Sequence, residues 1–140
     1  MPCIFLSERT YCSAKFFSKE TSNYCSVSAS RVNDLQNAYI IVIVTIASKQ
    51  EAEKIAQRLL KERLIACANI IGPVSSLFHW TGKTEKAEEF LIFMKSRKDL
   101  FEKLTETVKA LHSYEVPEIL VLPVVGGSKA YLDWLDSCLQ

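Results

Sequence analysis

One short segment of the chain combines several side chains that can bind metal or transfer protons. Seven consecutive residues carry an imidazole, a phenol and two carboxylates, at His112, Tyr114, Glu115 and Glu118. Pro117 disfavours helical geometry at the residue before it and has no backbone N–H, so a helix should end near His112. We call residues 112–118 the corner. Connecting segments often carry function, although a histidine is also favourable at a helix C-terminus for electrostatic reasons alone.

The chemistry open to the corner is metal binding of modest strength. His112 and Glu118 could supply a nitrogen and an oxygen ligand to a divalent cation such as Cu²⁺, but two donors fall short of a closed site. Cys67 has two interpretations, a buried structural thiol or a soft metal ligand. No nucleophile–histidine–carboxylate set can be assembled from two histidines, His79 and His112, so we expect no enzymatic activity.

A second set of residues marks a predicted hairpin. Thr81-Gly82-Lys83 reads as the tip of a long hairpin, and Trp80 beside it suggests a subunit contact or the wall of a pocket. Glu88 and Glu89 precede the next apolar run, where they are expected to blunt the exposed end of a strand.

Length and composition exclude several classes of protein. A chain of 140 residues is long enough for one domain with a hydrophobic core. The net charge of +1 gives no electrostatic case for nucleic acid binding, and no apolar run approaches the ~20 residues needed to span a bilayer. The five cysteines form no CxxC pair, which argues against a disulfide framework or a structural zinc site and favours a reducing compartment. We therefore expect a cytoplasmic protein.

The chain divides into an extension, residues 1–38, and a folded domain, residues 39–140. The extension is rich in serine and has no sustained periodicity, so it is expected to be disordered or to be an organellar transit peptide. The domain begins with a continuous apolar strand at 39–46. Ser48 and Glu51 then match a capping box, in which each side chain bonds the backbone N–H of the other residue. The helix that follows has an apolar face that includes Leu60.

Further strands and helices complete an alternating order. Strands are predicted at 65–71 and 74–80, either side of Gly72-Pro73, and at 90–94 and 118–122. Ser96 is expected to cap the second helix and Ser128 a last one, whose apolar side would hold four residues. Those four are Tyr131, Trp134, Leu135 and Cys138.

This β-α-β-β-α-β order with an extra C-terminal helix predicts an α+β, ferredoxin-like fold. That plan puts the first and third strands in the centre of the sheet, and here they are the two uninterrupted apolar runs. The second and fourth strands contain Pro73 and Pro123, which edge strands tolerate. The long apolar hairpin extends beyond what one small sheet can pair, so we expect neighbouring copies to cover it in a homo-oligomer.

Five stretches of the chain resemble the CutA family of divalent-cation-tolerance proteins. They are residues 65–71, residues 80–83, the corner, and Leu122-Pro123-Val124 together with residues 131–134. The resemblance covers residues 39–139 and implies a ferredoxin-like subunit in a tight homotrimer. It also implies a role in tolerance of copper and other divalent cations, with no established enzymatic activity. Animal members of the family are linked to anchoring of acetylcholinesterase.

The resemblance also bears on the metal site. In bacterial members a copper site is assigned to a cysteine that closes the first strand and to a pair of histidines before the Tyr-x-x-Pro-Glu segment, which here is residues 114–118. When these ligands are transferred to this sequence by position, the cysteine corresponds to Val44 and the first histidine to Leu111. Of the three assigned ligands, His112 alone is present here. His79 replaces a residue that is often aromatic in the family, and it could be an extra ligand or a surface change.

Two functions follow as hypotheses. The first is a trimeric, non-catalytic protein of divalent-cation homeostasis that binds copper(II) or another divalent cation weakly, through His112, Glu118 and, if copper is reduced, Cys67. The second is a trimeric ligand-responsive or scaffold module, similar in architecture to PII-type signalling trimers. Its inter-subunit cleft would hold a small anion or a protein partner and would be lined by Trp80, Lys83, Tyr114 and Glu118.

Overall fold

The structure is a computed structural model, and it describes residues 38–140. The predictions for the N-terminal extension therefore lie outside the described residues, except at Ala38. The elements follow one another in the predicted order, with a 3₁₀ turn at Lys98–Leu100 leading into the second helix. They are β1 (Tyr39–Ile46), α1 (Lys49–Lys61), β2 (Cys67–Trp80), β3 (Lys83–Arg97), α2 (Phe101–Leu111), β4 (Ile119–Pro123) and α3 (Lys129–Cys138).

The four strands form one sheet in the order β2-β3-β1-β4, and all neighbouring strands are antiparallel. This is the ferredoxin-like arrangement, so the predicted fold class is confirmed. β1 and β3 lie in the centre, because their uninterrupted apolar sequences can be covered on both faces. Pro73 and Pro123 lie in the two edge strands, where a missing N–H costs no ladder hydrogen bond.

Helices α1 and α2 cover one face of the sheet and create the main core. Side chains alternate between the faces along a strand, and in β1 every second residue from Ile40 to Ile46 is buried. These residues pack with fully buried side chains of the two helices, among them Ile55, Leu59, Leu104 and Val108. α3 forms a second, smaller cluster with the start of β1, through Tyr39, Leu132, Leu135 and Leu139.

The opposite face of the sheet is apolar, and no element of the described residues covers it. Register places Phe93 between Ile43 and Asn69 on this face, with Leu91 between Thr45 and Ile71. Side chains here are half-buried in the central strands and exposed at the edges, where Ile71 is 51% exposed. We call this surface the open face; its apolar members are Ile41, Ile43, Ile71, Leu91, Phe93, Leu120 and Leu122.

The predicted hairpin is formed by β2 and β3. Thr81 and Gly82 both have positive φ (47° and 79°), as a two-residue hairpin turn requires. The break expected at Gly72-Pro73 is a bulge inside one long strand, β2, with a cis peptide between the two residues. Gly72 has φ 154°, and a Cβ there would lie 2.7 Å from the Phe90 ring, so the position requires glycine.

Several local predictions are wrong, for identifiable reasons. Ser96 does not cap α2: β3 continues to Arg97, and the buried Ser96 hydroxyl donates to the Leu64 carbonyl at 2.6 Å. Leu60 is 42% exposed, because the buried stripe of α1 is narrower than its apolar sequence. In α3 the buried residues are Leu132 and Leu135, whereas Tyr131 and Trp134 stack on each other at the surface.

Candidate functional site at the corner between α2 and β4

His112 ends α2 and is held on both sides of its ring. Its backbone N–H donates to Val108 O at 2.9 Å, which makes it the C-cap of the helix. The side chain is fully buried, with Nε2 2.8 Å from Thr45 O and Nδ1 3.0 Å from Tyr114 N. A carbonyl can only accept and a backbone N–H can only donate, so the ring is neutral with its proton on Nε2. Neither nitrogen has a free lone pair in this arrangement.

Glu51 connects the first turn of α1 to the corner. Its carboxylate accepts from Ser113 N at 2.6 Å and from the Ser113 hydroxyl at 3.0 Å. The predicted capping box is therefore half correct: the Ser48 hydroxyl accepts from Glu51 N at 3.2 Å, but the Glu51 side chain turns to Ser113 instead of back to Ser48. A tertiary contact replaces a local one, and it fixes the corner against α1.

Tyr114 extends the network to β3. Its hydroxyl donates to Glu89 Oε1 at 3.0 Å, and its ring centroid lies 5.1 Å from that of His112. Burial, followed by the hydrogen bond to the Glu89 carboxylate, raises the pKa of Tyr114. The prediction that Glu89 blunts an exposed strand end is wrong, because β3 starts six residues earlier and Glu89 is only 5% exposed.

Glu118 lies where β4 begins beside β1. Its carboxylate accepts from the Thr45 hydroxyl at 3.3 Å, while the carbonyl of the same threonine accepts from His112. Thr45 thus connects the two predicted metal ligands, His112 and Glu118. Both of these residues are engaged in hydrogen bonds within the chain.

The donors at the corner do not form a closed divalent-metal site with other side chains in the described part of the chain. Residues 38–140 contain no group of three or more His, Cys, Asp or Glu side chains arranged to hold an ion. The two positions matched to the other bacterial ligands, Val44 and Leu111, carry aliphatic side chains, and Val44 is fully buried in the core. A metal ion at His112 would first have to displace Thr45 O or the Tyr114 N–H from the imidazole.

Cys67 lies away from the corner. Cys67 pairs with Lys95 of β3, and Lys95 pairs with Ile41 of β1. Thr45, which contacts the corner, is four residues from Ile41, a distance of about 13 Å along β1. The Cys67 thiol lies 3.5 Å from the Tyr131 hydroxyl instead. That hydrogen bond, followed by burial, raises the pKa of Tyr131 to about 12. The structure therefore does not bring Cys67 together with His112 and Glu118.

The predicted pocket is not formed within a single chain either. Trp80 pairs with Lys83 at the hairpin tip, and Lys83 is six residues along β3 from Glu89, about 20 Å. Trp80 is 58% exposed, and His79 pairs with Thr84 near the same tip. Trp80 and Lys83 can approach Tyr114 and Glu118 only if they belong to another copy of the chain.

The family model for the CutA1 divalent ion tolerance protein matches residues 40–138, which include the corner and all of the sheet except Tyr39. The chain belongs to the CutA family. It is 44% identical over 95 residues to the divalent-cation tolerance protein CutA of Thermus thermophilus, a match that covers 68% of this chain and 92% of the relative. This family is named for divalent-cation tolerance and not for a reaction.

Plant CutA proteins are similarly close. Protein CutA, chloroplastic, of Arabidopsis thaliana is 43% identical over 98 residues, which are 70% of this chain; the chain spans about half the length of that relative, 54%. The crystal structure of CutA1 from Oryza sativa superposes with a TM-score of 0.72 at 38% identity, covering 76% of this chain and 97% of the other. In this CutA chain no helix within residues 38–140 is long and apolar enough to cross a bilayer.

Proposed function

We propose that the chain acts in divalent-cation tolerance as a non-catalytic homotrimer that binds divalent cations weakly. The observation that carries this proposal is the state of His112: the imidazole is buried, and each of its nitrogens bonds to the backbone. A general base or a strong ligand needs a free lone pair, and none is available here without breaking a hydrogen bond. The names of the relatives, which refer to divalent cations, support the biological role.

The open face supports the trimer. Seven apolar side chains on one side of the sheet have no covering layer within residues 38–140, and a contiguous apolar surface of this kind marks a contact surface between proteins. The hairpin also extends beyond β1, whose last residue, Ile46, is opposite Phe90. A second and third copy of the chain would cover both surfaces, and the burial would couple subunit folding to assembly.

Metal binding, in this proposal, uses His112 and Glu118 and is weak for copper(II). The Thr45 bridge keeps the two residues close, and an imidazole with a carboxylate suits a divalent copper ion. Binding is weak because the ion must replace an existing hydrogen bond of His112 and finds no third ligand among residues 38–140 of the same subunit. Cys67 is too distant to contribute to this site.

Calorimetric titration of the full chain with copper(II) is expected to show weak binding that is lost in His112→Ala and reduced in Glu118→Gln. The binding should weaken on acidification, because the proton competes with the metal for the imidazole nitrogen. His79→Ala is the matched control and should bind as the wild type does. Tight binding that survives His112→Ala would contradict the assignment and would indicate the cysteines or His79 as ligands.

Undetectable copper binding in every variant would favour the second hypothesis. In that case a small anion or a protein partner would occupy a cleft between copies, lined by Trp80 and Lys83 of one copy and by Tyr114 and Glu118 of another. The exposure of Trp80 is the observation that favours it, since a large aromatic side chain in solvent often marks a contact surface. A thermal-shift screen of small anions against the wild type and Trp80→Ala would test it.

Deleting residues 1–38 is expected to leave the melting temperature and the number of chains per assembly nearly unchanged. This follows if the domain boundary is correct, because terminal segments that do not pack on the core add little stability. Differential scanning calorimetry and light scattering on both forms would check it, and a clear loss of stability would place the boundary elsewhere.

We expect a cytoplasmic location, or an organellar one if the extension is a transit peptide. The chloroplastic name of the Arabidopsis relative favours the second location.

A further inference from the structure

Residues 113–117 of the corner are attached to the rest of the described chain by side chains and not by the backbone. Among residues 38–140, none of the backbone–backbone hydrogen bonds outside helices and strands involves this stretch, and β4 begins two residues after it. Its attachments are hydrogen bonds to the side chains of Glu51, His112 and Glu89. Four of its five residues are exposed. Segments with so few buried contacts open locally at a low free energy while the core stays folded.

This stretch covers the imidazole of His112. The ring centroid of Tyr114 lies 5.1 Å from that of His112, and the Tyr114 N–H donates to His112 Nδ1 at 3.0 Å. The His112 side chain is fully buried, although the four residues that follow it are exposed. Movement of residues 113–117 away from the domain would therefore uncover the ring and release the lone pair of Nδ1.

Glu51 holds the stretch in place from the first turn of α1. One of its carboxylate oxygens accepts from the Ser113 N–H at 2.6 Å and the other accepts from the Ser113 hydroxyl at 3.0 Å. Hydrogen bonds to a carboxylate are stronger than those between neutral groups. Glu51 Oε1 also lies 3.9 Å from His112 Nδ1, so this contact is adjacent to the ring. Because α1 covers the face of the sheet opposite the open face, the contact lies away from the surface that we expect other copies to cover.

We propose that residues 113–117 form a lid that opens locally over His112, and that Glu51 is the latch that keeps the lid closed. Opening frees Nδ1, a donor atom that the proposed weak metal binding can use; this consequence rests on the proposed function, whereas the lid itself does not. The apparent affinity of a site that exists only in an open state is its intrinsic affinity multiplied by the open fraction. A latch that keeps this fraction small therefore weakens binding, and loss of the latch strengthens it.

The test of the lid is amide hydrogen exchange at Tyr114, measured by NMR on the full chain. The Tyr114 N–H donates to His112 and not to Glu51, so its exchange reports opening of the lid and not simply the loss of one bond. We expect this exchange to be at least about tenfold faster in Glu51→Ala than in the wild type. Ser113→Ala removes only the hydroxyl bond and should give a smaller increase. Glu53→Ala, at an exposed position of the same helix, is the matched control and should exchange as the wild type does.

Two further readouts separate local opening from global unfolding. The Val42 amide, in the central strand β1, should exchange more slowly than that of Tyr114 in the wild type and should not respond to the variants. Diethyl pyrocarbonate modifies accessible imidazoles, so His112 should react faster in Glu51→Ala, while the exposed His79 reacts equally in all forms. The proposal is overturned if Val42 and Tyr114 exchange at the same rate in every form, or if Tyr114 exchange is the same in Glu51→Ala as in the wild type.

Calorimetric titration of the same forms with copper(II) separates the lid from the metal role. If both are correct, Glu51→Ala binds copper(II) more tightly than the wild type, by about the factor by which its Tyr114 exchange increases. Faster exchange without copper binding in any form would support the lid and contradict the proposed function. Copper binding that depends on His112, with neither exchange nor affinity changed in Glu51→Ala, would support the proposed function and overturn the lid.

Discussion

Phe93→Asp is expected to convert the assembly into monomers. Phe93 lies in a central strand in the middle of the open face, between Ile43 and Asn69. Covering that face with other copies would bury the new carboxylate without a positive partner, which costs several kcal/mol per subunit and is repeated in every subunit. Light scattering should give the wild type three times the chain mass of 15.8 kDa and the variant the mass of a single chain.

Leu60→Glu is the matched control for this experiment. Leu60 is also an apolar side chain exposed in the single chain, at 42%, but it lies on α1, on the helical side of the molecule. Its replacement should leave the molecular mass unchanged. Circular dichroism of Phe93→Asp should retain the helical signal, since the helices pack on the other face of the sheet. A wild-type monomer at low micromolar concentration, or a Phe93→Asp trimer, would contradict the account.

His112→Ala is expected to lower the free energy of unfolding by about 3 kcal/mol, through the cavity left by the ring and the loss of two hydrogen bonds. The substitution leaves Thr45 O and Tyr114 N without their partner, at the place where α2, β1 and the corner meet. Urea denaturation at a single protein concentration would measure the change. His79→Ala, an exposed histidine on β2, should change stability by less than about 0.5 kcal/mol.

A loss below about 1 kcal/mol for His112→Ala would show that the two hydrogen bonds are not maintained in solution. His112 would then have a free nitrogen, and the argument for weak metal binding would fail with it. This links the stability measurement to the copper titration: a strongly stabilising His112 implies a weak metal ligand, because the same nitrogens cannot serve both purposes.

The fold was predictable from the sequence because its determinants are local. The continuous apolar runs at β1 and β3 and the prolines at the two edges indicate the strand order without knowledge of any contact. The turn at Thr81-Gly82 and the end of α2 at His112 likewise depend on neighbouring residues. Ser96 is the exception, because a serine before an apolar run has the same sequence pattern whether it caps a helix or donates to a distant carbonyl, here that of Leu64.

The corner was predictable as a site, but its partners were not. His112 bonds Thr45 across 67 positions, Ser113 bonds Glu51 across 62, and Tyr114 bonds Glu89 across 25. No local pattern reports such contacts. Nothing in the sequence around Glu89 indicates its hydrogen bond to Tyr114. The position of Cys67, a soft ligand by type, depends on strand register, which places it opposite Lys95 and away from the corner.

We expect this chain to support divalent-cation tolerance as a trimer, and growth of a bacterium lacking its own CutA protein tests this most directly. Growth rate would be measured in raised copper with the wild type, Phe93→Asp or Leu60→Glu produced at matched levels. The wild type and Leu60→Glu should restore growth, and Phe93→Asp should not. Failure of the wild type to restore growth, or equal rescue by Phe93→Asp as a proven monomer, would contradict it.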